Sequence, residues 1–261
     1  MADGATLVLR LAGPLQSWAT SSQFNRRGTD DRPSKAGVIG LLAAAEGRRR
    51  GDPIADLLGL RLAVRVDQPG SLLRDYHTVS TLDGSPLLSA KVNSKGRQVT
   101  TSPRKHTHVT VRYYLQDAVF VGLMQGEREL LLGLSESLRR PRFPLALGRR
   151  SCVPTQPLVL ASPSGDWVWE GELDDLLSSV PWQAGEAART KRGLGPFVRV
   201  AATIDDPGGN DLVADVPITF APRERGMTTR RVRHRWVELR TGSQSETAEP
   251  PAHDPFALLG W

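Results

Sequence analysis

The amino-acid sequence predicts an α+β protein with a ferredoxin-like (RRM-like) βαββαβ core, a projecting β-hairpin thumb and extra C-terminal strands. Three observations lead to this fold class. Strand-like and helix-like apolar patterns follow one another in the order strand, helix, strand, strand, helix, strand. A long basic segment, poor in apolar residues, lies between the second and third strands and cannot contribute much to a core. Further strand-like runs follow after residue 160.

The first strand and the first helix enclose a polar, basic loop. Leu7 to Ala12 is an apolar run typical of a buried strand, and a helix is predicted to begin after Pro33 with Ser34 as its N-cap. Lys35 then stands beside the positive end of the helix, where unpaired N–H groups favour an anion such as a phosphate. An ordinary βα unit with a solvated loop is the simpler alternative.

The second strand has the clearest alternation in the chain, and the thumb insertion follows it. Leu60 to Asp67 places leucine and valine on one face and Arg61, Ala63 and Arg65 on the other. Residues 83–108 lose the apolar pattern and carry lysine, arginine and histidine, so this segment should project from the body as a hairpin or loop. Binding to RNA and simple solvation both remain open for this segment.

The third strand, the second helix and the fourth strand complete the predicted core. AVFVGLM (118–124) is typical of a strand covered on both faces, and a helix runs from Glu127 to about Arg139. A strand around Leu158 to Leu160 follows. The loop before it contains Gly148, Arg149, Arg150 and Ser151. Glycine adopts conformations closed to other residues, so successive N–H groups can form an anion-binding concavity there.

The last part of the domain is predicted as a β extension at about 161–240, after which 241–261 forms a flexible tail ending in PFALLGW. Residues 1–240 thus make up one domain. In the final strand, Arg231, Arg233 and Arg235 share one face, with Val232, His234 and Trp236 on the other. Such a basic face could follow RNA or meet an acidic partner.

Composition indicates a soluble protein with an anionic partner. The net charge is +6, and since five of the 34 basic residues are lysine, 29 are arginine. Arginine binds phosphate in a bidentate way and stacks on bases, which fits RNA, although an arginine-rich proteome would leave the same bias. Cys152 is the single cysteine, so no internal disulfide can form and a reducing, cytoplasmic location is expected. No apolar run is long enough to span a membrane.

Motifs for cofactor or metal chemistry are lacking in the sequence. The five histidines are scattered, and neither a Walker A loop nor a Rossmann glycine fingerprint occurs, so no cofactor and no metal are predicted. One catalytic hypothesis survives. Tyr76 with His77, and Lys105 with His106, could converge to supply the base, acid and cation of metal-independent RNA cleavage. The same residues bind RNA equally well without cutting it.

Four motifs resemble the CasD family, the RAMP-type subunit of the CRISPR type I-E effector complex Cascade. They are LRLAGPLQSWAT (9–20), RPSKAGVIGLLAAAEG (32–47), LRDYHTV (73–79) and LGRRSC (147–152), and they occur in the family's order from Leu9 to about Pro157. The C-terminal third matches only loosely, through RHRWVELR.

The resemblance implies a ferredoxin-like core with a β-hairpin thumb, for which the insertion at about 72–116 is the candidate. It also implies a protein that holds the 5′ handle of the CRISPR RNA. It further implies contacts with CasC backbone subunits, whose filament the protein caps, with the large CasA subunit, and through the complex with target DNA. Residues 147–152 would form the RNA-facing glycine loop. Type I-E systems leave RNA cleavage to a separate subunit, so the resemblance argues for a non-catalytic role; a metal-independent endoribonuclease is the alternative.

These arguments together predict a set of RNA-binding residues. Arginine and lysine would hold phosphates, aromatic rings would stack on bases, and a few polar groups would read the handle. The phosphate ligands are Arg26, Arg27, Lys35, Arg149 and Arg150; the stacking groups are Trp18 or Tyr76; the reading groups are Gln16 and His77. Lys105, His106, Gly148 and Ser151 complete the set.

Overall fold

A computed structural model describes residues 4–20, 25–100, 102–191, 195–221, 224 and 226–241. The predicted α+β class is confirmed. All of the predicted tail except Thr241, including PFALLGW, lies outside the described residues. The helices are α1 (Lys35–Glu46), α2 (Ala55–Leu58), α3 (Arg128–Arg139), α4 (Leu173–Ser179) and α5 (Glu186–Lys191). The strands are β1 (Ala5–Ala12), β2 (Leu15–Gln16), β3 (Arg26–Arg27), β4 (Arg61–Gln68), β5 (Ser71–Ser80), β6 (Leu88–Val92), β7 (Gln98–Thr100), β8 (Thr107–Gln116), β9 (Val119–Gln125), β10 (Trp169–Glu170), β11 (Phe197–Asp205), β12 (Asp211–Thr219) and β13 (Gly226–Arg240).

A seven-stranded antiparallel sheet forms the centre of the protein, in the order β10-β1-β9-β4-β11-β13-β12. Strand β9 lies between β1 and β4, with Gly122 opposite Leu9 on one side and Val64 on the other. Every residue of β9 is buried. Its continuous apolar run is therefore explained by two covered faces.

The predicted fourth strand is shorter than expected. It consists of one bridge, Leu9 opposite Val159, flanked by hydrogen bonds from Arg10 N to Leu158 O (2.7 Å) and from Leu160 N to Val8 O (2.9 Å). Pro157 precedes the segment, and a proline cannot donate to a strand ladder. The two-residue strand β10 continues the same edge of β1.

Helices α1 and α3 cover one face of this sheet. Their apolar residues, including Ile39, Leu42 and Leu134, are buried together with Leu9 and Phe120 of the strands below. As predicted, Ser34 caps α1 by accepting a hydrogen bond from Gly37 N (3.3 Å), and the helix ends at Gly47, whose φ is +83°. Local sequence signals therefore set both ends of α1. Among the described residues, no helix has the length and apolar character that crossing a membrane requires.

The opposite face of the sheet is covered by α4 and the segments on either side of it. Val8, Val121 and Val200 are buried there beneath Leu177 and Trp182. Arg65 is fully buried in the same layer. Its guanidinium binds the Asp67 carboxylate (Nε to Oδ1, 2.6 Å) and three backbone carbonyls, so the buried charge is paired and its donors are used.

Strands β11, β12 and β13 extend the central sheet beyond β4 and form the C-terminal extension. Strand β11 pairs along its full length with the second part of β13, from Phe197 opposite Arg240 to Asp205 opposite Val232. The basic face predicted for β13 is mostly used within the chain. Arg233 binds Asp174 of α4 (2.8 Å) and Asp206 (2.9 Å), and Arg235 also binds Asp174. The acidic partner of this face is therefore a helix of the same protein.

A smaller sheet carries the hairpin that the basic segment predicted. Strands β5 and β8 pair from Ser71 opposite Gln116 to Ser80 opposite Thr107, and β6 and β7 form a second hairpin near the tip. Strands β2 and β3 lie along the other edge of β8. Among the described residues, none from 74 to 113 belongs to a buried apolar cluster. The hairpin thus projects from the body, at about the predicted positions.

Candidate nucleic-acid interface

The glycine loop at 147–152 docks onto the chain that follows β2. Ser17 N donates to Leu147 O (3.1 Å), and Leu147 N donates to Cys152 O (2.7 Å). Gly148 has a φ of +88°, and a Cβ at this position would lie 1.8 Å from the carbonyl oxygen of Ser17. Only glycine fits here, both for its backbone conformation and for the close approach. The sequence motif therefore reflects a tight contact between two loops.

Arg149 joins this loop to β3 and to the base of the hairpin. Its Nη1 donates to Tyr113 O (3.1 Å), and its Nη2 donates to Arg27 O (2.9 Å) and Gly28 O (2.9 Å). The guanidinium also lies over the ring of Tyr114, 4.8 Å from its centroid. Arg149 was predicted to hold a phosphate; instead, its terminal nitrogens hold three backbone carbonyls. It is therefore a positioning residue of this region.

One face of the small sheet combines arginine and aromatic groups. Tyr76 and Arg26 both lie beside Val111, on opposite sides of β8, so their Cα atoms are separated by about 10 Å, two strand spacings. The Arg26 guanidinium lies over the Tyr113 ring, 5.3 Å from its centroid. Tyr76 is 59% exposed, and Arg74, opposite Tyr113, is exposed as well. Such a face can stack bases and bind phosphates.

The other face of the hairpin carries His77. Because successive strand residues point to opposite faces, His77 lies on the face of Asp75 and Arg112, away from Tyr76. The His77 ring nitrogen Nε2 is hydrogen-bonded to the Asp75 carboxylate. Arg112 Nε and Thr110 Oγ1 are buried and have no hydrogen-bond partner within the described chain. This second face therefore carries hydrogen-bonding groups that have no partner in the described part of the chain.

Arg150 and Ser151 extend the interface from the glycine loop. Both are exposed, whereas Cys152, the next residue, is fully buried. Burial raises the pKa of the Cys152 thiol above its usual range, so the thiol is a core group and not a nucleophile. The loop therefore exposes one guanidinium, that of Arg150, beside the carbonyl-bound guanidinium of Arg149.

The structure contradicts the predicted roles of Gln16 and Trp18. Gln16 is fully buried, and its Nε2 donates to Leu11 O (3.0 Å) and Ala118 O (2.7 Å). Trp18 is 1% exposed, and its Nε1 donates to Gln16 Oε1 (2.9 Å). The indole is part of the apolar core beneath α1, and the amide satisfies backbone carbonyls around it. Neither side chain can reach a base, so both predictions were wrong.

Lys35 also binds groups of the same chain and is buried. Its backbone N donates to Asp215 Oδ2 (2.8 Å), and its Nζ binds Asp205 Oδ2 (2.8 Å). The prediction of an anion at the N-terminus of α1 was correct in its physics, but the anion is the carboxylate of Asp215 in β12 and not a phosphate. An aspartate inside an apolar strand-like run, as in LVADVPITF, was the sequence signal for this pairing.

Lys105 and His106 lie in the distal part of the hairpin. His77 is opposite Thr110, and His106 precedes Thr110 by four positions, about 13 Å at roughly 3.3 Å per residue. His106 Nδ1 is hydrogen-bonded to Gly84 O (2.9 Å) in the tip region. The four residues proposed for RNA cleavage therefore do not converge in this structure, because two lie far along the hairpin and Tyr76 and His77 face opposite sides.

Sequence reasoning missed three residues of the interface: Arg74, Arg112 and Tyr113. All lie on β5 or β8, at positions paired with one another or with Asp75. The available signal was the arginine and tyrosine pair in VRYYLQ and the arginine in LRDYHTV. Alternation along a strand would have assigned each to a face.

Comparisons with known proteins identify the family of this chain. A family model described as "CRISPR-associated protein (Cas_Cas5)" matches residues 6–233. The Cascade subunit CasD of Escherichia coli strain K12 is 34% identical in an alignment of 171 positions that covers 60% of this chain and 70% of that protein. Among solved structures, a chain of a "CRISPR RNA-guided surveillance complex" has 33% identity and a TM-score of 0.68, covering 90% of this chain and 91% of that one. A second, described as "Crystal structure of Cas protein", has 36% identity and a TM-score of 0.62, covering 88% and 94%. The chain belongs to the CRISPR-associated Cas5 family.

Proposed function

We propose that this protein is a non-catalytic subunit of a Cascade-type CRISPR surveillance complex and binds the 5′ handle of the CRISPR RNA. The surface that binds it is the hairpin-base surface, defined as Arg26, Arg74, Tyr76 and Arg150. Arg27, opposite Arg112, lies on the other face of the small sheet and would meet the RNA from that side. The observation that carries the proposal is the junction made by Arg149, which brings β3, β8 and the glycine loop together through three carbonyls. Family membership and the names of the relatives support the same role.

The strand order supports a ferredoxin-like core beneath this surface. The Leu158–Leu160 segment lies beside β1, and β9 lies between β1 and β4, all antiparallel. A βαββαβ unit of ferredoxin type has its fourth strand beside the first and its third between the first and second. The β5–β8 hairpin is then the thumb, and residues 1–240 form one RAMP-type domain that caps CasC subunits, contacts CasA and meets target DNA only through the complex, in the cytoplasm.

Binding at the hairpin-base surface would combine charge and stacking. The arginines neutralise backbone phosphates, a contribution that weakens as salt rises because bound counterions are released. Tyr76, being exposed on the same face as Arg26, can stack on an unpaired base, a contact worth on the order of 1–3 kcal/mol. Phosphate contacts are expected to supply most of the affinity, and base edges read by a few polar groups are expected to supply the sequence preference.

Cleavage is the less favoured function, because its groups are separated. Tyr76 and His77 lie on opposite faces of β5, and Lys105 and His106 are about 13 Å further along the hairpin. Metal-free cleavage needs a base, an acid and a cation around a single phosphate. A binding surface needs no such convergence.

The proposal is tested by titrating purified protein with handle RNA at several salt concentrations. The double variant Arg26→Ala/Arg150→Ala should bind at least tenfold more weakly, with a smaller slope of log K against log salt, by about 0.7 per lost phosphate contact. The double variant Arg49→Ala/Arg50→Ala is the matched control, because it removes the same charge at the end of α1. If both variants lost the same affinity for RNA, net charge alone would explain the loss, and the assigned surface would be rejected.

The same material separates binding from cleavage. Handle-containing repeat RNA is incubated with the protein in chelator, beside an RNA carrying 2′-deoxy substitutions. We expect intact RNA to remain bound in both cases. Cleavage of the first RNA and protection of the second would favour the endoribonuclease.

A further inference from the structure

A cleft of about 350 Å³ lies between the loop before α1 and the C-terminal strands. Asp30, Asp31 and Arg32 of the loop form one wall. Thr203, Asp215 and His234 of the extended sheet lie on the other side. None of the residues assigned to RNA lines it. The cleft therefore needs a separate explanation.

Most charges in and beneath the cleft cancel in pairs. Arg230 binds Asp205 and Asp215, and Lys35 binds Asp205 from below, which makes a neutral group of four. Arg32 binds Asp31 through two nitrogens, Nε (2.9 Å) and Nη2 (2.8 Å). Once these pairs are removed, Asp30 is the carboxylate that remains among the described lining residues. Asp211, next to the cleft, binds His234 Nε2 (3.4 Å). The cleft is thus negative although the protein carries +6 overall.

Asp30 is partly buried and lacks a compensating charge among the neighbours that act on it most. Its Oδ2 accepts a hydrogen bond from Thr20 N (3.0 Å), and the charged groups that act on it most are the carboxylates of Asp31 and Asp215. Burial, with a smaller contribution from these two carboxylates, raises the pKa of Asp30. Holding a carboxylate away from water without a counterion is unfavourable. A cation supplied from outside would recover that free energy.

The rim of the cleft adds an exposed aromatic ring and further polar groups. Arg32 Nη1 donates to Thr203 Oγ1, which is hydrogen-bonded to His234 Nδ1 (2.8 Å). Trp236 does not line the cleft itself, but it lies two residues after His234 on the same face of β13 and is 62% exposed. The Arg199 guanidinium lies over its ring, 5.7 Å from the centroid, so the ring already packs against one arginine of the same chain. An exposed tryptophan beside a cavity is the kind of residue that anchors protein interfaces.

We propose that this cleft binds a cationic side chain of a partner protein, an arginine guanidinium, with Asp30 as its counterion and Trp236 packing beside it. A planar guanidinium can engage both carboxylate oxygens of Asp30, which a lysine ammonium cannot do as well. A nucleic-acid phosphate would meet the carboxylate of Asp30 and be repelled. The cleft is a protein-docking site that is independent of the RNA-binding role.

The first test uses the full chain and a single-residue probe. N-acetyl-arginine methylamide is titrated while the indole N–H signals are followed by NMR, with Trp236→Phe assigning the relevant one. A lone side chain should bind weakly, with a Kd on the order of millimolar. N-acetyl-citrulline methylamide has the same shape without the charge and should bind at least tenfold more weakly. Equal binding of the two probes would overturn the proposal.

The second test changes the counterion. Asp30→Asn keeps the acceptor for Thr20 N and should weaken binding of the arginine probe at least tenfold, while Asp83→Asn, a change in the distant hairpin, should not affect it. Handle RNA should bind the unaltered protein, Asp30→Asn and Asp83→Asn with equal affinity, which separates this site from the hairpin-base surface. Trp236→Ala alters an exposed residue, so it should not unfold the protein, and it should weaken binding of the arginine probe severalfold. Unchanged probe binding in Asp30→Asn, or a Trp236 signal that responds to adenosine monophosphate in preference to the probe, would reject a cation site.

Discussion

Gly148 and Arg149 are neighbours with different structural tasks. Gly148 allows the loop to approach Ser17, because its φ is positive and no side chain occupies the space. Arg149 then uses its guanidinium to hold Arg27 O and Gly28 O. The charge that remains exposed is that of Arg150. A motif that looks like two equivalent arginines is therefore one positioning residue followed by one surface cation.

The conformation of Gly148 makes Gly148→Ala a strongly destabilising change. An added Cβ would meet Ser17 O at 1.8 Å and force a left-handed backbone onto alanine, so we expect a loss of about 2–4 kcal/mol in the free energy of unfolding. Gly133→Ala is the control, since Gly133 lies within α3 with open space around it, and it should gain about 0.5–1 kcal/mol. Urea unfolding measures both. A midpoint for Gly148→Ala equal to that of the unaltered protein would contradict the argument.

The β5–β8 hairpin contributes exposed surface to the protein, and most of it lies outside the buried core. The buried apolar clusters contain no described residue from 74 to 113, while both faces of the hairpin near its base carry arginine and aromatic groups. Its strands are held by their own ladder and by the β2 and β3 contacts. The distal part can therefore be altered without disturbing the body.

Shortening the hairpin tests this separation. Ser80 and Thr107 are opposite each other, so replacing residues 81–106 by Asn-Gly leaves a two-residue turn that such a pair can accept. We expect the free energy of unfolding to change by less than about 1 kcal/mol, because no packed apolar group is lost and the closed loop becomes shorter. The affinity of this variant for handle RNA then shows how much the deleted segment, which includes Lys105 and His106, contributes to RNA binding. A large loss of stability would mean that the tip packs on the body.

On the scale of the whole molecule, a buried ionic group links the two ends of the chain. Lys35 begins α1, whereas Asp205, Asp215 and Arg230 belong to the three C-terminal strands. Burial lowers the pKa of Arg230, and its bonds to the two carboxylates outweigh this and raise it, so its charge is retained. Together with the continuous seven-stranded sheet, these pairs predict that the first helix and the last strands unfold together.

Arg230→Met should show this coupling. Removing one member of a buried ionic group leaves Asp205 and Asp215 with less compensation, and a loss of about 3–5 kcal/mol is expected. Arg231→Met is the matched control, because Arg231 is the adjacent residue, is exposed and donates to Gly209 O; it should cost less than about 1 kcal/mol. Both are measured by urea unfolding with fluorescence and circular dichroism. Similar losses in the two variants, or two separate transitions, would contradict the coupling.

Sequence patterns identified most elements because those elements depend on local periodicity. The alternation in β4, β11 and β13, and the cap and terminal glycine of α1, are written in consecutive residues. The fourth core strand was overestimated, because its pairing is limited to Val159. The C-terminal strands were predicted as an extension, but nothing local indicated that β11 would pair with β4.

The sequence by itself determined the α+β class, the projecting basic hairpin, the glycine loop and the arginine excess. Only the tertiary structure decided which basic and aromatic groups face solvent. Lys35 is neutralised by carboxylates in β11 and β12, the nearer of its two hydrogen-bonded aspartates being 170 positions away, and Trp18 is covered by the helix that follows it. Charge and residue type are local properties of a chain. Exposure and pairing depend on residues that are distant in sequence, so they exist only once the chain has folded.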